Sequence, residues 1–209
     1  MESRNISILQ KCKQVLIHPS ELFESVKYER GIGPAFQYLA LFSMVIAAGS
    51  ITYLLFFPED IPLSEFPEFL PFLDDLTAIG IIIAIPVYIL ALLSYFVLAG
   101  WMHIFAKLFR GKGDYSATYK ANVYASTPSL LFGWVPIAGI AVELYSLYLT
   151  ILGLSKLHEV SMARAFGMII TSIIIIFVPV IAVIVALISS GLVPDIGELL
   201  PELDKTQKV

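Results

Sequence analysis

Charge is what this sequence has least of. Only 14% of its 209 residues are Asp, Glu, Lys or Arg, and 58% are hydrophobic. Soluble domains carry about 25% charged residues, so an ordinary soluble domain is excluded. Cysteine is nearly absent, with Cys12 the single one. That excludes a disulfide framework, a Cys-x-x-Cys redox pair and a thiolate metal cage. The three histidines, His18, His103 and His158, lack the further ligands a zinc site needs, although His103 and His158 fall at span ends on one side. No Ser/His/Asp context occurs. Gly111-Lys112-Gly113 reads as a turn, since the phosphate-loop spacing is absent. No enzyme chemistry and no cofactor follow from these residues. No cleavable leader is expected in residues 2–30, which lysines and glutamates interrupt, so the first apolar helix is expected to act as its own insertion signal.

What the sequence does have is long apolar runs. A bilayer core of about 30 Å needs roughly 20 apolar residues per helix. Such runs predict five spans, at about 34–57, 76–106, 116–133, 137–157 and 163–190. The fold class is therefore all-α: a polytopic integral membrane helix bundle with short amphipathic N-terminal helices. Residues 1–32 form the N-terminal segment, 33–190 the membrane domain and 191–209 an acidic tail. In the first segment, Ile8, Leu9, Cys12, Val15 and Leu16 recur at helical spacing. Asn5 is expected to cap that helix, Pro19 to end it and Ser20 to cap the next. Both helices either lie in the interface or pack on the ends of the spans. Pro34 suits a first helical turn. The 31-residue run 76–106 would measure about 46 Å as a straight helix, so it tilts, kinks at Pro86 or begins in the interface. Phe66, Phe69, Leu70 and Phe72 lie in a proline-broken acidic loop and read as interfacial, as do Trp101 and His103. Pro128, Gly133 and Pro136 divide residues 121–155 into a hairpin, and Pro179 is the expected kink in the last span.

Charge clusters set the orientation. Lysine and arginine number five in residues 4–30, four in 107–120 and two in 156–164, against Lys205 and Lys208 in the tail. A four-span chain gives the same eleven-to-two split. However, Lys156 and Arg164 abut spans, where the positive-inside rule is strong, and the tail lysines do not. The expectation is a cytoplasmic N-terminus and an extracytoplasmic C-terminus. The basic loop carrying Lys107, Arg110, Lys112 and Lys120 faces anionic headgroups rather than nucleic acid.

The hairpin holds the candidate polar site. Gly139, Glu143, Ser146, Thr150 and Gly153 repeat at i, i+4, i+7, i+11 and i+14, and Asn122, Ser126, Ser129 and Gly133 answer them. Small residues let helices approach and hydroxyls bond across the gap, so Gly133, Gly139 and Gly153 are expected packing positions. Glu143 is the one ionisable residue in the apolar part of the hairpin. A turn near Val135 would set it opposite Thr127 beside Ser126, and Tyr148 opposite Asn122. Such a carboxylate is either a buried hydrogen-bonding group or part of a proton, ion or ligand path.

Tyr124-Ala125-Ser126-Thr127-Pro128, Pro136-Ile137-Ala138-Gly139, Leu152-Gly153-Leu154, His158, Ser161 and Arg164-Ala165 resemble the Yip family, the Ypt/Rab-interacting membrane proteins with a five-span domain. Gly33-Pro34 is similar to the end of the family's Asp-Leu-Tyr-Gly-Pro hallmark. Arg30-Gly31-Ile32 replaces its first three residues, and Tyr145 stands where a tryptophan is expected. About thirty residues precede the first span, which resembles a minimal prokaryotic-type member in a cell membrane. The resemblance implies a non-enzymatic protein that organises membranes or recruits partners, among them other membrane proteins or a small GTPase. The residues alone also allow a small transporter, channel or lipid-handling protein using a polar path around Glu143. Neither reading sets an oligomeric state.

Overall fold

The computed structural model describes residues 6–56 and 76–190, and every regular element among them is a helix. The expected features in the 57–75 loop, the 191–209 tail and Asn5 lie outside the described residues. Two short helices come first, α1 (Ile8–Ile17) and α2 (Pro19–Val26). Ser7, not Asn5, caps α1: its hydroxyl accepts from Gln10 N, and the Gln10 side chain accepts from Ser7 N, a reciprocal capping box. Pro19 follows the end of α1, which stops at Ile17 with His18 as its C-cap, as expected, and it also begins α2, because its missing N–H costs nothing at a first turn. His18 is then the N-cap residue, in place of Ser20.

The long helices follow: α3 (Gly33–Phe56), α4 (Leu76–Leu108), α7 (Pro136–His158) and α8 (Met162–Ser189). Among the described residues, four helices are long and apolar enough to cross a membrane, over Gly33–Tyr53, Ile85–Leu108, Ala138–His158 and Met162–Ser189. The expected third span is instead two pieces, α5 (Tyr115–Ala125) and α6 (Thr127–Phe132), broken at Ser126. Pro128 is the cause. It has no N–H for the Tyr124 carbonyl, four residues back, and its ring crowds that oxygen. The Thr127 hydroxyl donates to the Tyr124 carbonyl instead, at 2.7 Å.

The α5 helix is the centre of the bundle. Ala117 to Ala121 and Val123 to Ala125 are all buried, and α5 packs on α3, α4 and α7. The contacts divide the chain at Met168/Ile169 into two compact units. The first holds α1 to α7 and the start of α8. The second is the rest of α8, exposed from Ile173 to Val185.

Candidate functional site

The N-terminal hairpin is clasped by the membrane helices. Of its apolar residues, Val15, Leu22, Phe23 and Val26 are wholly buried, Ile8, Cys12 and Leu16 are half-buried and Leu9 is exposed, so the part of the stripe around Val15 and α2 packs on the spans. Phe23 fills the gap at Gly153: a Cβ there would stand 2.8 Å from the Phe23 ring and 3.3 Å from the Ala121 Cα. Tyr145, in the middle of α7, donates to the Leu16 carbonyl at 2.9 Å. Glu24 pairs with Lys156 at 3.0 Å. The hairpin therefore runs along the second half of α7, where every residue from Leu149 to His158 is buried or half-buried. Glu143, Leu144, Leu147 and Tyr148, on the first half, are exposed.

Buried charge fixes that hairpin. Lys11 pairs with Glu29, and its ammonium lies 3.3 Å from the Tyr124 hydroxyl. Tyr124 in turn donates to Glu29 at 3.0 Å. Lys120, only 3% exposed, donates to the carbonyls of Val26 at 3.1 Å and Glu29 at 2.6 Å. The Val26 carbonyl also accepts from Glu29 N at 3.1 Å, so the cation ties the end of α2 to the turn that follows it. Lys120 is thus not a loop residue facing headgroups, as its place in the sequence suggested; it is an internal strut. The Tyr38 hydroxyl meets Thr127 Oγ1 at 2.8 Å. Burial pushes the half-buried Cys12 thiol up, with Tyr38 pulling the other way.

A second network joins the ends of α4, α5 and α7. His103 and His158 do approach, bridged by the buried Thr118 hydroxyl at 2.8 and 2.9 Å. His103 is therefore not a simple belt residue. Lys107 donates to the Gly113 carbonyl at 2.8 Å. Glu159 takes Lys27 on one side and Lys112 on the other, the latter at 3.1 Å. Those two ammonium groups draw its carboxyl down to about 2, and its carboxylate raises Lys27 in return. Burial raises Asp114, but the Ala117 N–H and the Ser116 side chain outweigh it, so the carboxyl lies below its ordinary range. Arg110 is exposed, with φ at +63°.

The polar stripes meet only in part. Ser129 and Ser146 share a hydroxyl bond of 2.8 Å across the helices. Ser126 and Thr150 bond back to Asn122 and Ser146 of their own helices. Thr127 is buried against Tyr38 and Tyr124, away from Glu143. Glu143 is exposed on α7. Tyr148 stacks on Tyr145 at 6.1 Å and points outward. Of the three glycines, Gly153 is at a close approach between helices, a Cβ at Gly133 would stand 2.5 Å from the Ser129 carbonyl oxygen of its own segment and 3.5 Å from Ile46, and a Cβ at Gly139 would meet nothing nearer than 3.8 Å. The stripe argument set Glu143 opposite Thr127, whereas Glu143 is exposed on α7 and Thr127 is buried. Lys11, Glu29, Tyr38 and Thr118 were missed altogether. Only Tyr124, inside the Tyr-Ala-Ser-Thr-Pro run, carried a signal.

A cavity of about 480 Å³ opens between α3 and α6, lined by apolar side chains such as Leu41, Met44 and Leu131, with Thr52 and Trp134. It does not reach the networks above.

Comparison with curated proteins and with solved structures yields no match. A family profile described as the Yip1 domain matches residues 13–188. The matched stretch takes in the second half of α1, all of α2 and nearly all of α8, so the His103–Thr118–His158 network lies within it and the first network does too apart from Lys11.

Proposed function

This chain belongs to the Yip1-domain family, a family of generally non-enzymatic multi-pass membrane proteins, and from that premise we propose that it is a membrane-organising or partner-recruiting adaptor. One observation carries the reading. The hairpin is held by one buried ion pair, Lys11–Glu29, and by buried hydrogen bonds while its other face, with Leu9, Lys13, Ile17, Glu21 and Tyr28, is exposed. A rigidly held surface with mixed apolar and charged groups suits recognition. By analogy with the family, the partner class is another membrane protein or a small GTPase.

Five crossings with a cytoplasmic hairpin fit this role. The α5–α6 pair spans Tyr115–Phe132, about 27 Å at 1.5 Å per residue. It begins beside His158 and ends at Trp134, whose ring lies against Gly49. Gly49 is about 24 Å along α3 from its start. The lysines and arginines gathered at the hairpin end favour the cytoplasm for that side and the opposite side for the C-terminus, in a prokaryotic cell membrane.

The second reading, a path for a small solute, ion or lipid, draws on Glu143, an exposed carboxylate on an apolar helix. Two measurements separate them: crosslinking from the hairpin face in native membranes, and solute flux in liposomes holding the purified protein. The adaptor reading expects specific protein adducts and no flux. Flux that Glu143→Gln abolishes would overturn it.

A further inference from the structure

His158 and Thr118 are both fully buried. Thr118 Oγ1 stands 2.8 Å from His103 Nδ1 and 2.9 Å from His158 Nε2, and the two rings are 5.9 Å apart. The other nitrogen of His158, Nδ1, has no hydrogen-bond partner among the described residues. It presses on the α4–α5 turn, where a Cβ at Gly111 or Gly113 would come within 2.8 or 2.9 Å of it. The same turn is tied to the same residue through Lys112 N, which donates to the His158 carbonyl at 3.0 Å.

Counting protons shows what this arrangement tolerates. Thr118 has one hydroxyl proton and an oxygen that accepts. If His158 Nε2–H donates to Thr118 and Thr118 donates to His103 Nδ1, both rings are neutral. His103 keeps its proton on Nε2, and His158 turns a bare lone pair toward the glycines. A second proton on His158 must sit on Nδ1. It would be a buried charged donor with no acceptor, and such a group carries a large penalty. The facing groups do not relieve it. His103 and Lys107 come from α4, Lys112 from the turn and Tyr115 from α5. Asp114 is engaged as the cap of α5, accepting from Ala117 N at 3.0 Å. Glu159, in the turn after α7, is held by Lys27 and Lys112.

We infer that the His103–Thr118–His158 relay is an acid-sensitive lock on the α4–α5 turn, and that proton uptake by His158 releases residues 109–114 from the end of α7. Release lets Nδ1–H reach water and detaches Lys107 from Gly113. A basic turn held closed at neutral pH is thereby presented under acid.

The test is hydrogen exchange of the full chain in lipid nanodiscs at pH 7.5 and pH 5.0, corrected for intrinsic rates. Protection over residues 106–118 is expected to fall about tenfold on acidification, as local opening would give. The drop is expected to vanish in His158→Gln, which takes no second proton, and to persist in Glu159→Gln. Histidine nitrogen spectra of the unaltered protein give a second readout, which stands even where His158→Gln fails to fold. There, protonation of His158 should coincide with the exchange change. Equal protection at both pH values, a drop that survives in His158→Gln, or His158 protonation without loop opening overturns the inference.

Discussion

Single side chains decide how the hairpin is held, and Lys120 is the clearest case. Its ammonium satisfies the Val26 and Glu29 carbonyls from a site closed to water. Lys120→Met keeps the apolar stem and removes the donor. A hydrogen bond to a charged group is worth about 1.5–3 kcal/mol, so a loss of that order is expected. It reads out as faster trypsin cleavage after Lys27 and Arg30. Glu159 behaves differently because it is exposed. Its carboxyl titrates at about 2 against an ordinary 4.5. A depressed carboxyl stabilises the fold above its ordinary value and loses that contribution as pH falls from about 4.5 through about 2. Salt screens an exposed cluster of this kind. Glu159→Gln is therefore expected to leave neutral high-salt protection of the N-terminal segment unchanged and to remove its salt dependence, measured by the same proteolysis. Little of this was legible in the sequence. Lys120 is placed among the other loop cations by its position, and only the buried end of α2 shows what it binds. Glu143 stands out in the sequence as a carboxylate in an apolar run, but spacing along the chain did not show that it lies on the exposed side of α7.

Helices were more legible than side chains, for a physical reason. The run of apolar residues that a bilayer requires is long and continuous, so α3, α4, α7 and α8 lie within a few residues of expectation. The α5–α6 break was not read, although its cause is visible as Pro128. The hairpin helices α1 and α2 were read, but their docking was not, since one apolar stripe serves equally for lipid and for protein. The structure shows that stripe seated on α7 through Phe23 and Gly153. Gly153→Leu would force Phe23 out, because the neighbouring Ala121 backbone cannot yield. Cys12, half-buried beside the hairpin's core face, is a built-in reporter. Its reaction with maleimide is expected to rise at least about tenfold in Gly153→Leu through local opening. Phe23→Ala should give a similar rise without overpacking. Unchanged labelling in both would show that the hairpin is not held there.

For the whole molecule, the proposal is five crossings, which would place the clasped hairpin and the C-terminus on opposite sides of the membrane. Positive charge alone gave the same count for four spans and for five. The break at Ser126 makes the question sharper, because α5 and α6 are each too short to cross alone. Their joint reach, from His158 to Gly49 of α3, is what argues for a crossing. The measurement that tests this most directly is cysteine accessibility in intact cells. Cys12 is replaced by serine, and single cysteines are placed at Lys112 or Lys208 for labelling by a membrane-impermeant maleimide. The account predicts labelling at 208 in intact cells and at 112 only after lysis. Labelling of both positions from one side of the membrane would contradict it.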